Sequence, residues 1–140
     1  MKIFLFIVFI SVALISCVTA SGPVFKGIQA GKNDSIVYIY RESSIVGGAL
    51  SVDVYVNEKY EISLDNNGYF PVRVKPGDVS IKVKGGIITK EMIIHAHAKK
   101  KYYVRTGGLA GYGGDLLLVN METKIGSQQI ADNRLQEAEK

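Results

Sequence analysis

Beyond Ile36, several segments alternate apolar and polar residues one for one. An amphipathic helix repeats its apolar residues every three or four positions, so a period of two excludes it for most of the chain. Val52, Val54 and Val56 alternate with Asp53, Tyr55 and Asn57, and Val79, Ile81 and Val83 with Ser80, Lys82 and Lys84. Successive side chains of a strand point to opposite faces, so each segment puts one face inward and wets the other. The run from Ile36 to Tyr40 is apolar throughout and ends in Arg41, which reads as a buried strand. Further strands are expected at 60–64, 69–74, 87–98, 101–106 and 115–120. The turns between them are Asp65-Asn66-Asn67-Gly68, Lys75-Pro76-Gly77-Asp78 and Gly85-Gly86. Pro71 lacks an N–H and marks its strand as an edge or a bulge.

About eight short strands joined by short turns predict an all-β fold over residues 36–121, a single antiparallel β-sandwich or a small barrel. After Glu122 the β-branched residues thin out. A short C-terminal helix from about Lys124 is expected within 122–140, with Ile125, Ile130 and Leu135 as its apolar stripe.

The start of the chain has a different character. Lys2 is followed by an apolar run, Ile3 to Ile15, broken only by Ser11, and then by Ser16 and Cys17. A charged start, a short apolar stretch and small residues at its end make a signal peptide over 1–16. Thirteen helical residues rise roughly 20 Å, short of the roughly 30 Å of a bilayer's hydrocarbon. Leu14-Ile15-Ser16-Cys17 resembles the lipobox of bacterial lipoproteins. That resemblance implies diacylglycerol on the Cys17 sulfur, cleavage before Cys17, and acylation of the new amine. Two or three acyl chains hold a protein stably on its membrane, whereas one does not. Residue 18 is Val, not the Asp that resembles an inner-membrane retention signal, so the expected address is the outer membrane, facing the periplasm. Residues 17–35, with Gly22, Pro23, Gly27, Gly31 and Asn33, read as a lipidated N-terminus and tether with a short edge strand near Phe25.

Composition narrows the function. Cys17 is the only cysteine, which excludes an internal disulfide, a CxxC redox pair and a Cys-rich zinc site. The formal charge of +4 falls to +3 once Lys2 leaves with the leader, too small a surplus to indicate nucleic-acid binding. There is no GxSxG elbow and no cysteine left to pair with a histidine, so no catalytic set stands out and no cofactor is expected.

Val37-Tyr38-Ile39-Tyr40-Arg41, Val54 to Lys59, Gly68-Tyr69-Phe70 and Val74-Lys75-Pro76-Gly77 together resemble domain-of-unknown-function family 2846. The resemblance implies a small bacterial lipoprotein with a β-sandwich, similar in style to surface-layer PEGA repeats. It brings no activity or catalytic residues. A histidine frequent in the family after the Pro-Gly is replaced here by Asp78-Val79-Ser80, so no histidine role carries over.

Three groups remain as candidate sites. His95 and His97, two apart on a strand, would share one face and could begin a metal site, with Glu91 on the same parity. The chain has no other histidine, so an outward polar face is the stronger reading. Gly107 to Gly114 fits no nucleotide-binding pattern and reads as a loop or a close backbone approach, with Tyr112 as its contact residue. Lys99, Lys100 and Lys101 precede Tyr102 and Tyr103. With Lys82, Lys84, Lys90 and Arg105 they would make a basic, aromatic surface for anionic head groups or acidic glycans. Lysines guarding a strand edge are the plainer alternative. The expected protein is a non-enzymatic structural or interaction module, partnered by the membrane and by an envelope protein or cell-wall glycan. The alternative is a ligand-binding module for glycan or a small molecule.

Overall fold

The computed structural model describes residues 18–44, 48, 50–108 and 115–137. Among them nine strands form two sheets: β1 Ser35–Tyr40, β2 Val52–Val56, β3 Lys59–Leu64, β4 Gly68–Val74, β5 Gly77–Gly85, β6 Ile88–Ala96, β7 Lys101–Gly108, β8 Leu116–Met121 and β9 Arg134–Leu135. A helix, α1 Thr123–Gln129, and a 3-10 turn at Ile130–Asp132 precede β9. One sheet has the order β8-β7-β1-β4-β9 and the other β3-β2-β5-β6. The sheets stack without closing on each other, so the fold is a sandwich and not a barrel.

Val37 and Ile39 of β1, the valines of β2, Ile62, Leu64, Val79, Ile81, Val83, Ile94 and Val104 fill the space between the sheets. These are the inward positions of the alternating segments, and their burial is the main stabilising term of the fold.

The pairing is not wholly antiparallel. β1 runs parallel to β7, with Ile36 opposite Lys101 and Tyr40 opposite Arg105, and β4 runs parallel to β9. A parallel partner needs a long crossover. The chain between β1 and β7 supplies it, because the whole second sheet is built on the way. Asp65–Gly68 and Lys75–Gly77, expected as turns, are the places where the chain crosses from one sheet to the other. At the second crossing Gly77 has φ +124°, a conformation that favours glycine. Pro71 pairs with Tyr38 of β1, while β9 reaches only Gly68 and Tyr69 of β4. The proline thus lies along a free edge, where its missing donor breaks no ladder bond.

The outer face of the five-stranded sheet carries a second core. Ile36, Tyr38, Tyr40, Tyr69, Tyr103 and Ile130 are buried there, with Phe25, Ile28, Ala30, Met121 and Leu135 packed against them. The Phe25 ring meets Tyr38 and Tyr69 edge-on, with centroids 5.2 and 5.0 Å apart. The Tyr38 hydroxyl accepts from the Ile28 N–H at 2.7 Å and donates to the Ile28 carbonyl at 3.2 Å. Burial raises the pKa of Tyr38 and Tyr103 and pushes that of Tyr40 up to about 12. From residue 18 on, the segment expected as a tether is therefore laid across the sheet. Both faces of β1 are apolar, and water on the outer one would forfeit the burial of three large side chains.

Candidate functional site

Every strand of the sandwich begins at one of two ends, and the ends differ. At one lie the crossing 65–67, the β5–β6 turn at Gly86-Ile87, the start of β2, and the point where the chain leaves at Gly108 and returns at Asp115. At the other lie the β2–β3 turn at Asn57-Glu58, the corner at Pro76-Gly77 and the crossing 97–100.

The N-terminal segment enters at the first end. The Val18 carbonyl accepts from the Asn66 N–H at 3.3 Å, and the Ala20 N–H donates to the Asn66 carbonyl at 3.0 Å. Asn66 is buried, and its side chain both accepts from the Ser44 N–H at 2.9 Å and donates to the Ser44 carbonyl at 3.1 Å. Val18 borders a groove of about 550 Å³ with Ser51, Tyr60, Ile62, Asp65 and Gln136. Cys17, with Leu14, Ile15 and Ser16, lies outside the described residues. So does Tyr112. The flanking Gly107 and Gly108 have φ of +130° and +132°. A Cβ on Gly108 would come within 2.4 Å of the Asp115 carbonyl oxygen, so this glycine serves the close approach of β7 and β8. A Cβ on Gly107 would press on Arg41. The Arg41 guanidinium is buried and donates to the Leu50 carbonyl. Desolvation lowers its pKa, and Asp65 offsets part of that effect.

The lysine triplet is at the opposite end. Lys99 has φ +65° and donates its N–H to the Asp34 carbonyl at 2.7 Å. Lys99 and Lys100 are exposed and Lys101 is half-buried. The expected basic, aromatic surface does not assemble. Tyr102 packs against the core between the sheets, and Tyr103 stacks on Tyr38 in the second core, with centroids 5.3 Å apart. Lys82 pairs with Glu58 at 2.6 Å, Lys90 with Asp115 at 2.9 Å and Arg105 with Glu42 at 3.0 Å. Consecutive strand residues cannot share a face, and that sent the two tyrosines to opposite sides of the sheet.

The strand expected to set His95 and His97 on one face stops between them. β6 ends at Ala96, so His97 lies past the alternation, and the His95 ring instead meets Asp78 at 2.5 Å across the strand pair. Among the described residues no three His, Cys, Asp or Glu are grouped to hold a metal.

The outer face of the four-stranded sheet stays open to solvent. It carries Tyr55 and Tyr60 edge-to-face at 5.6 Å, with the Lys84 ammonium 5.0 Å from the Tyr55 ring centre. Ile93 stands exposed beyond them. Alternation in β2 already turned Tyr55 outward. The pairing with Tyr60 depends on the register shift between β2 and β3 and had no signal in the sequence.

Among the described residues no helix is long and apolar enough to cross a membrane. A family model described as "Protein of unknown function (DUF2846)" matches residues 31–112, more than half of the chain. It spans β1 to β7, so most of the cover over the five-stranded sheet lies on either side of the match. No curated protein and no solved structure matches the chain.

Proposed function

Because the chain belongs to the DUF2846 family, whose description assigns no activity, its role has to come from its own residues, and we propose that it is a lipid-anchored, non-enzymatic interaction module of the cell envelope. One observation carries this reading: Val18, the residue next to the sole cysteine, is hydrogen-bonded to Asn66 of the sandwich. An acylated Cys17 would therefore hold the sandwich at the end where Val18 joins it. The apolar run ending in Leu14-Ile15-Ser16 supplies the processing signal, and Val18 in place of Asp favours the outer membrane, facing the periplasm.

The test is membrane fractionation with intact-mass measurement of the wild-type chain and Cys17→Ser. The expected result is a membrane-bound, acylated wild type and a variant that is unprocessed or released. Equal partition, or a free thiol in the wild type, overturns the proposal.

A partner recognised by charge is supported by Lys75, Lys99 and Lys100. All three are exposed at the end away from Val18, and among the described residues none is in an ion pair. They suit an acidic envelope glycan, reached at a distance from the anchor. Binding to isolated cell-wall material should be lost when Lys99, Lys100 and Lys101 are all changed to Ser. Undiminished binding by that variant removes the glycan reading.

A further inference from the structure

The end of the sandwich that receives the N-terminal segment also displays apolar side chains. Ile87, at the tip of the β5–β6 turn, is 103% exposed, Leu50, just before β2, is 46% exposed, and Val18 is 37% exposed. A tight turn between two strands is ordinarily polar, and Gly86, with φ +59°, already meets its conformational need. Ile87 is not needed for the turn. The three residues also lie apart. Val18 lies beside β3, Leu50 leads into β2 and Ile87 caps β5 and β6, so they span a four-strand sheet about 14 Å wide.

Residue 17 is one peptide bond from Val18, so its Cα is about 3.8 Å away. Val18 is itself held to Asn66. Lipid on Cys17 therefore has no slack of chain between it and this end.

We propose that this end rests on the bilayer, with Ile87, Leu50 and Val18 seated in the interface and the lysine end pointing away. The proposal rests on the lipidation of Cys17. Along β5, nine residues at about 3.3 Å each place the corner at Gly77 roughly 30 Å above the footing. Lys99 and Lys100 are then out of reach of the anchoring leaflet's head groups, and their ligand belongs to the space beyond. Glu61, Asp65 and Glu137 line the groove beside Val18, so the footing draws on apolar contact and not on attraction to anionic lipid.

The chain contains no tryptophan, which allows a single-site fluorescent probe. Ile87→Trp and Lys100→Trp are prepared as the full, processed chain and inserted into phosphatidylcholine vesicles carrying brominated acyl chains. The expected result is strong loss of emission from position 87 and none from position 100, unchanged when phosphatidylglycerol is added. Equal quenching at both positions, or quenching at position 100 alone, overturns the orientation. A blue-shifted but unquenched signal at position 87 places that residue against protein and also overturns it. Intact mass and vesicle flotation are read first: a chain that lacks lipid and does not float refutes the anchor itself, and the footing falls with it.

Discussion

Asn133 should be the most sensitive polar residue in the protein, and Asn133→Asp tests why. Its side chain is buried and its amide nitrogen donates to the Arg41 carbonyl at 2.6 Å and the Gly68 carbonyl at 3.0 Å. Its own carbonyl accepts from the Phe25 N–H at 2.8 Å, and its N–H donates to the Ile130 carbonyl at 2.9 Å. One residue thus joins the ends of β1 and β4 to both covering segments. Because both acceptors are carbonyls, the NH2 group must face them. Aspartate keeps the shape and puts oxygen against oxygen. Only its protonated form can restore one of the two bonds, so its pKa must rise above the ordinary value of about 3.9. The sign follows by linkage: the added penalty is absent below about pH 4, grows as pH rises through the raised pKa, and is then constant. A buried carboxyl raised by about three units costs about 4 kcal/mol at pH 7, a large share of a stability of about 5–15 kcal/mol. Asn133→Ala should lose about 2–4 kcal/mol at every pH, from two bonds and an orphaned carbonyl. Urea unfolding followed by circular dichroism at pH 7 and at pH 4, each against wild type, reads both effects. A penalty for Asn133→Asp that is under about 1 kcal/mol at pH 7, or that does not shrink at pH 4, would refute the reasoning.

Gly126→Ala should destabilise by about 1–2 kcal/mol although alanine is the better helix former, because the new Cβ would lie 2.4 Å from the Cβ of Tyr103; an unchanged urea midpoint would show that α1 can shift away. Stability should be intact below about pH 10 and fall as pH rises toward 12, since the unfolded tyrosines ionise near 10 while burial keeps Tyr38, Tyr40 and Tyr103 protonated to higher pH. Urea midpoints measured with tyrosinate absorbance check this, and a flat profile counts against the second core. Glu58→Gly should stabilise by roughly 1 kcal/mol, because Glu58 holds φ +66° in the β2–β3 turn and its own exposed carboxylate gains little from the pair with half-buried Lys82; a lower thermal midpoint would mean the ion pair outweighs the backbone strain.

Strand positions were legible because their signal is local. Alternation in β2 and β5, and the unbroken apolar run of β1, follow from side chains pointing to opposite faces whatever the partner strand is. The partners themselves were not legible: that β1 lies beside β4 and β7, and that Asp65–Gly68 crosses between sheets, depends on contacts distant in sequence. The same holds for the lysine triplet, whose composition suggested a surface shared with Tyr102 and Tyr103 until the pleat sent the two rings to opposite cores.

By itself the sequence determined an all-β domain behind a leader-like run ending in the sole cysteine, because periodicity and composition need no tertiary knowledge. Tertiary structure alone decided that residues 18–34 cover a sheet and do not trail as a tether. It also decided that polar Asn66 and Asn133 are buried, and that the lysines and Val18 occupy opposite ends. Around Phe25 the sequence announces no more than a short edge strand, and it does not say which sheet face Phe25 and Ile28 cover. They find their place only because Tyr38 and Tyr69 present an apolar face that water would otherwise occupy.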